Sequence, residues 1–135
     1  MRSGREIDCI ADAYRLISIA EGELLSARNT PYRKMAELKK YIDDNLCDSG
    51  LRVSELSDIF GTSEVYFRRE FKKFYGQAPI EYIKSQRIEL AAQLLNIGLY
   101  SVTEVAMRSG FDSVSYFSSE FSRYFGMTPR EYQRL

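Results

Sequence analysis

Ser63-Glu64-Val65-Tyr66-Phe67-Arg68-Arg69-Glu70-Phe71-Lys72-Lys73-Phe74-Tyr75-Gly76-Gln77-Ala78-Pro79-Ile80-Glu81-Tyr82 returns, altered, as Ser113-Val114-Ser115-Tyr116-Phe117-Ser118-Ser119-Glu120-Phe121-Ser122-Arg123-Tyr124-Phe125-Gly126-Met127-Thr128-Pro129-Arg130-Glu131-Tyr132. The offset is 50 residues, and nine of the twenty positions are identical: the serines, the first tyrosines, two phenylalanines, a glutamate, then Gly, Pro, Glu and Tyr. Upstream the offset slips to 49, pairing Val53 with Val102, Glu55 with Glu104 and Gly61 with Gly110. A slip of one residue between two helices falls in a turn, where it is tolerated. Two copies are too few for a solenoid. They indicate one small module used twice.

Each copy reads helix, Gly-containing turn, helix. Ser101-Val102-Thr103-Glu104 has the pattern of a capping box. Arg52 at the matching place in the first copy is a weaker start. Ser63 and Ser113 are placed to cap the second helices, and Gly61 and Gly110 stand where the chain must turn sharply. A short helix, a tight turn and a longer helix make the helix-turn-helix arrangement, which lays its second helix in the major groove of DNA.

The longer helix of the first copy has two faces. Phe67, Phe71 and Phe74 form an apolar stripe at helical spacing. Val65, Arg68, Arg69 and Lys72 share another; at about 100° per residue, Phe67 and Phe71 lie roughly 200° and 240° around from Val65. Phe117, Phe121 and Tyr124 repeat the apolar stripe in the second copy. Its outward positions carry Ser115, Ser118, Ser119 and Ser122 instead of a valine and three cations. Guanidinium groups suit guanine edges and phosphates. Hydroxyls touch both but discriminate less.

Beyond the repeat, apolar residues recur at three- and four-residue steps, and no stretch alternates as a strand does. Helices are predicted over 31–47, with Met35, Leu38, Ile42 and Leu46 on one face, and over 53–60, 64–75, 80–97, 102–109, 114–125 and from 129 to the end. The fold class is therefore all-α, two helix-turn-helix subdomains joined by a long central helix. The first unit spans about 51–76, the linker helix about 80–97 and the second unit about 101–126 of a tandem domain over 31–135. Residues 1–30 carry Ile7, Ile10, Ala11, Tyr14, Ile17 and Leu24, the pattern of an amphipathic helix. They read as a helical linker or the remnant of an upstream domain.

Composition narrows the function classes. The 135 residues suffice for one compact domain or two very small ones. No apolar run approaches the roughly 18 residues a bilayer span requires, and the first residues lack the apolar core of a signal peptide, which points to the cytoplasm and away from membranes. The chain has no histidine, which removes most nucleophilic triads and imidazole acid–base chemistry. Cys9 and Cys47 are far apart and lack metal-ligating neighbours, so neither a metal site nor an alkyl-accepting centre is expected. No cofactor motif is present. The 19 basic and 19 acidic residues cancel, so any charge that attracts DNA must be concentrated on one face. A helical protein-interaction module with a basic face for an acidic partner is the alternative reading.

Residues from about 33 to the end resemble the DNA-binding domain of the AraC/XylS family of bacterial transcription regulators. The resemblance rests on Val53-Ser54-Glu55-Leu56-Ser57, on Gly61 through Lys72, on Tyr82-Ile83 and on Arg87-Ile88-Glu89-Leu90-Ala91-Ala92-Gln93-Leu94-Leu95. It is strongest in Val102-Thr103-Glu104-Val105-Ala106, Gly110-Phe111, Ser115-Tyr116-Phe117-Ser118 and Phe125-Gly126-Met127-Thr128-Pro129-Arg130-Glu131-Tyr132. It implies a non-enzymatic regulator whose partner is double-stranded DNA, with RNA polymerase as a further partner; family members either carry an upstream effector or dimerisation domain, absent from this chain, or stand alone, and both alternatives are open here. It places Val65, Arg68 and Arg69, and then Val114, Ser115 and Ser119, against the groove; Lys72, Ser118, Ser122 and Arg123 complete the candidate surface. The serine-rich helix departs from the family's pattern, in which a longer polar or basic residue often stands at one of these places. Arg87 matches a family position on the central helix. Its expected role is DNA contact or an ion pair tying the subdomains together.

Overall fold

The computed structural model describes residues 30–135, and among them seven helices and no strand. They are α1 (Thr30–Asp44), α2 (Val53–Phe60), α3 (Glu64–Tyr75), α4 (Pro79–Ile97), α5 (Val102–Arg108), α6 (Val114–Phe125) and α7 (Pro129–Gln133). The predicted amphipathic segment lies, up to residue 29, outside the described residues.

Met35, Leu38 and Ile42 are buried along α1, as the spacing requires. The helix stops three residues short of the predicted end. The Asn45 side-chain amide takes the Tyr41 carbonyl (2.9 Å), and Asp48 accepts from the Gly50 amide (2.8 Å) in an Asx turn. These local bonds offer the backbone an alternative to another helical turn. Leu46 still reaches the core, from a turn rather than a helix face.

The sequence repeat is also a repeat of packing. Phe67 lies against Phe71 at 5.7 Å between ring centres, and Phe117 against Phe121 at 5.6 Å. Phe71 meets Tyr75 and Tyr82 at 4.8 and 5.6 Å; Phe121 meets Phe125 and Tyr132 at 4.7 and 5.3 Å. Gly76 and Gly126 close α3 and α6 in the left-handed conformation (φ 79° and 75°), followed by a proline that opens the next helix. The first turn of α4 is thus the counterpart of α7.

One stripe assignment changes. Phe74 packs against the core as the stripe requires, half-buried and edge-on to Tyr32. Tyr124 is 49% exposed, its hydroxyl donating to Glu89 on α4. Phe125 takes the packed position in its place, with the Tyr132 ring of α7 tilted against it at 5.1 Å.

The central helix packs against α3, α5, α6 and α7. Tyr82, Ile83, Ile88, Leu90, Ala91, Ala92, Leu94 and Leu95 are all buried, more than one stripe's worth of its surface. At the far end, Gln133 donates to the Tyr100 carbonyl (2.8 Å), fastening α7 to the loop before α5. No helix among the described residues is long and apolar enough to cross a membrane.

Candidate nucleic-acid interface

The serine caps are made as their spacing predicts. Ser63 Oγ accepts from the Tyr66 amide (3.2 Å), and Ser113 Oγ from the Tyr116 amide (3.1 Å). Gly61 and Gly110 turn the chain at φ 83° and 100°, where a β-carbon is disfavoured. In each unit the second helix is presented with its phenylalanines inward and its opposite face free of the core.

On α3 that face holds Val65 (71% exposed), Arg68, Arg69 and Lys72, all exposed. Arg68 donates to Glu64 one turn back (2.9 Å). The Arg69 guanidinium lies over the Tyr66 ring, 5.3 Å from its centre. The pattern of identities matched Tyr66 with Tyr116 but did not reveal that both rings are exposed beside the outward faces.

On α6, Ser115 and Ser119 are exposed, while Ser118 and Ser122 are half-buried. Val114, the first residue of the helix, is half-buried and packed against the core. Arg123 is exposed, and its guanidinium approaches Glu120 at 3.5 Å.

Glu120 itself is 8% exposed, a carboxylate on the rear of α6. Lys84 of α4 reaches it at 3.0 Å and also contacts Glu81 (3.2 Å). Burial would lower the Lys84 pKa, but its bonds to Glu120 and Glu81 outweigh burial and raise it. A buried carboxylate needs such partners. The sequence signal was the identity of Glu70 with Glu120, which did not distinguish a half-buried glutamate from a buried one. These groups, with Gln77, Ser85, Ile88 and Tyr124, line a cleft of about 270 Å³ between α4 and α6. Its charges are already paired with one another.

Arg87 ties the loop after α1 to the central helix through backbone carbonyls, not through an ion pair. Among the described residues it forms no ion pair; Nε donates to the Leu46 carbonyl (2.8 Å) and Nη2 to the Asp48 carbonyl (2.7 Å). Burial lowers its pKa, though a guanidinium stays charged regardless. Cys47 is half-buried beside this contact, while Cys9 lies outside the described residues. No cluster of metal-ligating side chains occurs among the described residues.

Two exposed recognition-type helices, each behind a tight glycine turn and braced by one shared helix, define a tandem helix-turn-helix domain. The family described as the helix-turn-helix domain matches residues 56–135. The virulence regulon transcriptional activator VirF of Yersinia enterocolitica is 34% identical over 93 residues, which are 69% of this chain and 34% of that protein. The multiple antibiotic resistance protein MarA of Salmonella typhimurium is 33% identical over 89 residues, 66% of this chain and 69% of that protein. The DNA-binding domain of AdpA, a global transcriptional factor solved with a target DNA, superposes with a TM-score of 0.71 at 32% identity, covering 74% of this chain and 89% of that one. The chain belongs to the AraC/XylS family of helix-turn-helix transcription regulators. It spans about a third of the length of VirF.

Proposed function

We propose that this chain is the sequence-specific DNA-binding part of a bacterial transcription regulator, active in the cytoplasm and without enzymatic activity. The tandem domain covers 31–135, with residues 1–30 as a helical linker or the remnant of an upstream domain. One observation carries the reading: two helix-turn-helix units packed on one shared helix present outward faces, and the AdpA domain, similar in fold, was solved on DNA. α3 enters one major groove through Val65, Arg68, Arg69 and Lys72. α6 enters the next through Val114, Ser115, Ser118, Ser119, Ser122 and Arg123. RNA polymerase is the further partner.

Electrostatics supports an unequal division of labour. Residues 63–75 carry four cations against two carboxylates, whereas residues 113–125 carry Arg123 against Glu120. α3 therefore supplies most of the attraction to phosphate and most of the guanidinium donors that read guanine. The test is selection of bound duplexes from a random pool, followed by mobility shift. Enrichment of one asymmetric site bound by a monomer is the expected result. Binding without any sequence preference, or a preference for an acidic protein over DNA, would overturn the reading.

A further inference from the structure

The two turn glycines occupy the same place in the repeat but different surroundings. A β-carbon on Gly61 would meet nothing within 4 Å. Gly110 is buried, and a β-carbon there would stand 2.5 Å from the Leu46 carbonyl oxygen and 2.6 Å from Arg87 Nε. The nearer obstacle is backbone, so no rotamer change relieves it. Gly61 is required by its turn; Gly110 is required by its turn and by a close approach.

Three pieces of chain meet at this point: the loop after α1, the middle of α4, and the turn between α5 and α6. Arg87 fills the space between them. Its two donors hold the carbonyls of Leu46 and Asp48, which belong to the side of the first unit. The turn at Gly110, from which α6 departs, lies against the same guanidinium. The Lys84–Glu120 bridge ties α6 to α4; the contact at Arg87 adds a link from the second unit to the loop of the first.

We infer that Arg87 and Gly110 form the joint that fixes the angle between α3 and α6, which makes Arg87 a positioning residue for the distance between the two half-sites on DNA. The inference rests on the DNA-binding reading above. A planar guanidinium held at two carbonyls cannot swing about a single bond, and close-packed backbone on its other side leaves α6 no room to rotate toward α1. Two recognition helices held at one angle tolerate one spacing.

The experiment uses the full chain and the duplex it selects, together with versions carrying one base pair inserted or removed between the halves. Wild type, Arg87→Ala and Arg87→Lys are compared for affinity, base preference within each half and thermal melting. In wild type the altered spacings bind much more weakly. In the variants that penalty shrinks by about tenfold, within the usual range for coupling between two sites, while base preference inside each half is unchanged. A merely structural role would lower the melting temperature and weaken all spacings alike, leaving the penalty as in wild type. That outcome, or a wild type indifferent to spacing, overturns the joint. Should Arg87→Ala fail to melt cooperatively, Arg87→Lys supplies the measurement, since it keeps the charge and stem but lacks the two-pronged grip. Failure of wild type to select any duplex overturns the DNA-binding reading itself; selection with an unchanged penalty overturns the joint alone.

Discussion

Arg68 and Arg69 are neighbours on α3 but are held differently. Arg68 is tethered to Glu64 in an exposed pair, and Arg69 leans over the Tyr66 ring. Exposed pairs one helical turn apart contribute only about 0.3–0.5 kcal/mol, so a phosphate or a guanine edge displaces Glu64 at little cost. At least one of the two arginines is expected to read guanine. Replacing that one with alanine costs about 1–3 kcal/mol of binding and relaxes preference at one base position. Equal loss on every sequence, measured by mobility shift for both alanine variants, would instead make both arginines phosphate contacts. The exposure of these side chains was legible in the sequence because their phase is fixed against Phe67 and Phe71, which are fully buried. Tyr124 was not legible. Phase alone admits residue 124 or 125 at the edge of the stripe, and the choice is made by Tyr132, which arrives from another helix. Burial of Glu120 was hidden for the same reason, since its cation comes from α4.

Helix starts were the most readable features at the scale of the element, because a cap is local chemistry. Ser101 accepts from the Glu104 amide (3.1 Å), and Glu104 accepts from the Ser101 amide (2.9 Å), completing the capping box that the sequence announced. Arg52 stands in the matching place with extended backbone and no side-chain cap bond. Ser101→Ala is therefore expected to cost about 1 kcal/mol of stability. Arg52→Ser, which creates a Ser-x-x-Glu box with Glu55, is expected to add a fraction of that; denaturant melts of both variants check the pair. The Glu104 carboxyl is held below its usual pKa by the Ser101 backbone bond, then by the Ser101 side chain and Arg108. Its contribution is complete above the unfolded value of about 4.3 and fades as pH falls through the lower folded value. Wild type should consequently lose more stability than Glu104→Gln when melts at pH 6 and pH 3 are compared; parallel losses would remove the box from the acid response. Helix ends were less readable. The end of α1 depends on the side chains of Asn45 and Asp48 competing for backbone, which apolar periodicity does not register.

For the whole molecule, the duplication was legible and the contact between the copies only in part: the family resemblance offered Arg87 as a tie, but the repeat shows only that Gly61 and Gly110 correspond, and nothing in it shows that one of them abuts Arg87 and Leu46. The same asymmetry of surroundings extends to the surfaces. The two outward faces share a fold and differ in chemistry: residues 63–75 carry four cations against two carboxylates, and residues 113–125 carry one of each. Their centres should lie about one helical turn, roughly 34 Å, apart along the DNA, and the site should be non-palindromic. Serine hydroxyls are short, and Ser118 and Ser122 are half-buried, so α6 either approaches the groove floor closely or works through phosphates and bound water. In both cases base changes under α6 should matter less than those under α3. Ser119 is exposed on the outward face, with room for a longer side chain. Ser119→Arg should strengthen binding and steepen its salt dependence, one added phosphate contact contributing about 0.9 to the log–log slope. A scan of every base pair in the selected site, repeated with the variant across a salt series, measures both effects. If the half under α6 discriminates as strongly as the half under α3, or the slope does not move, charge is not what ranks the two units.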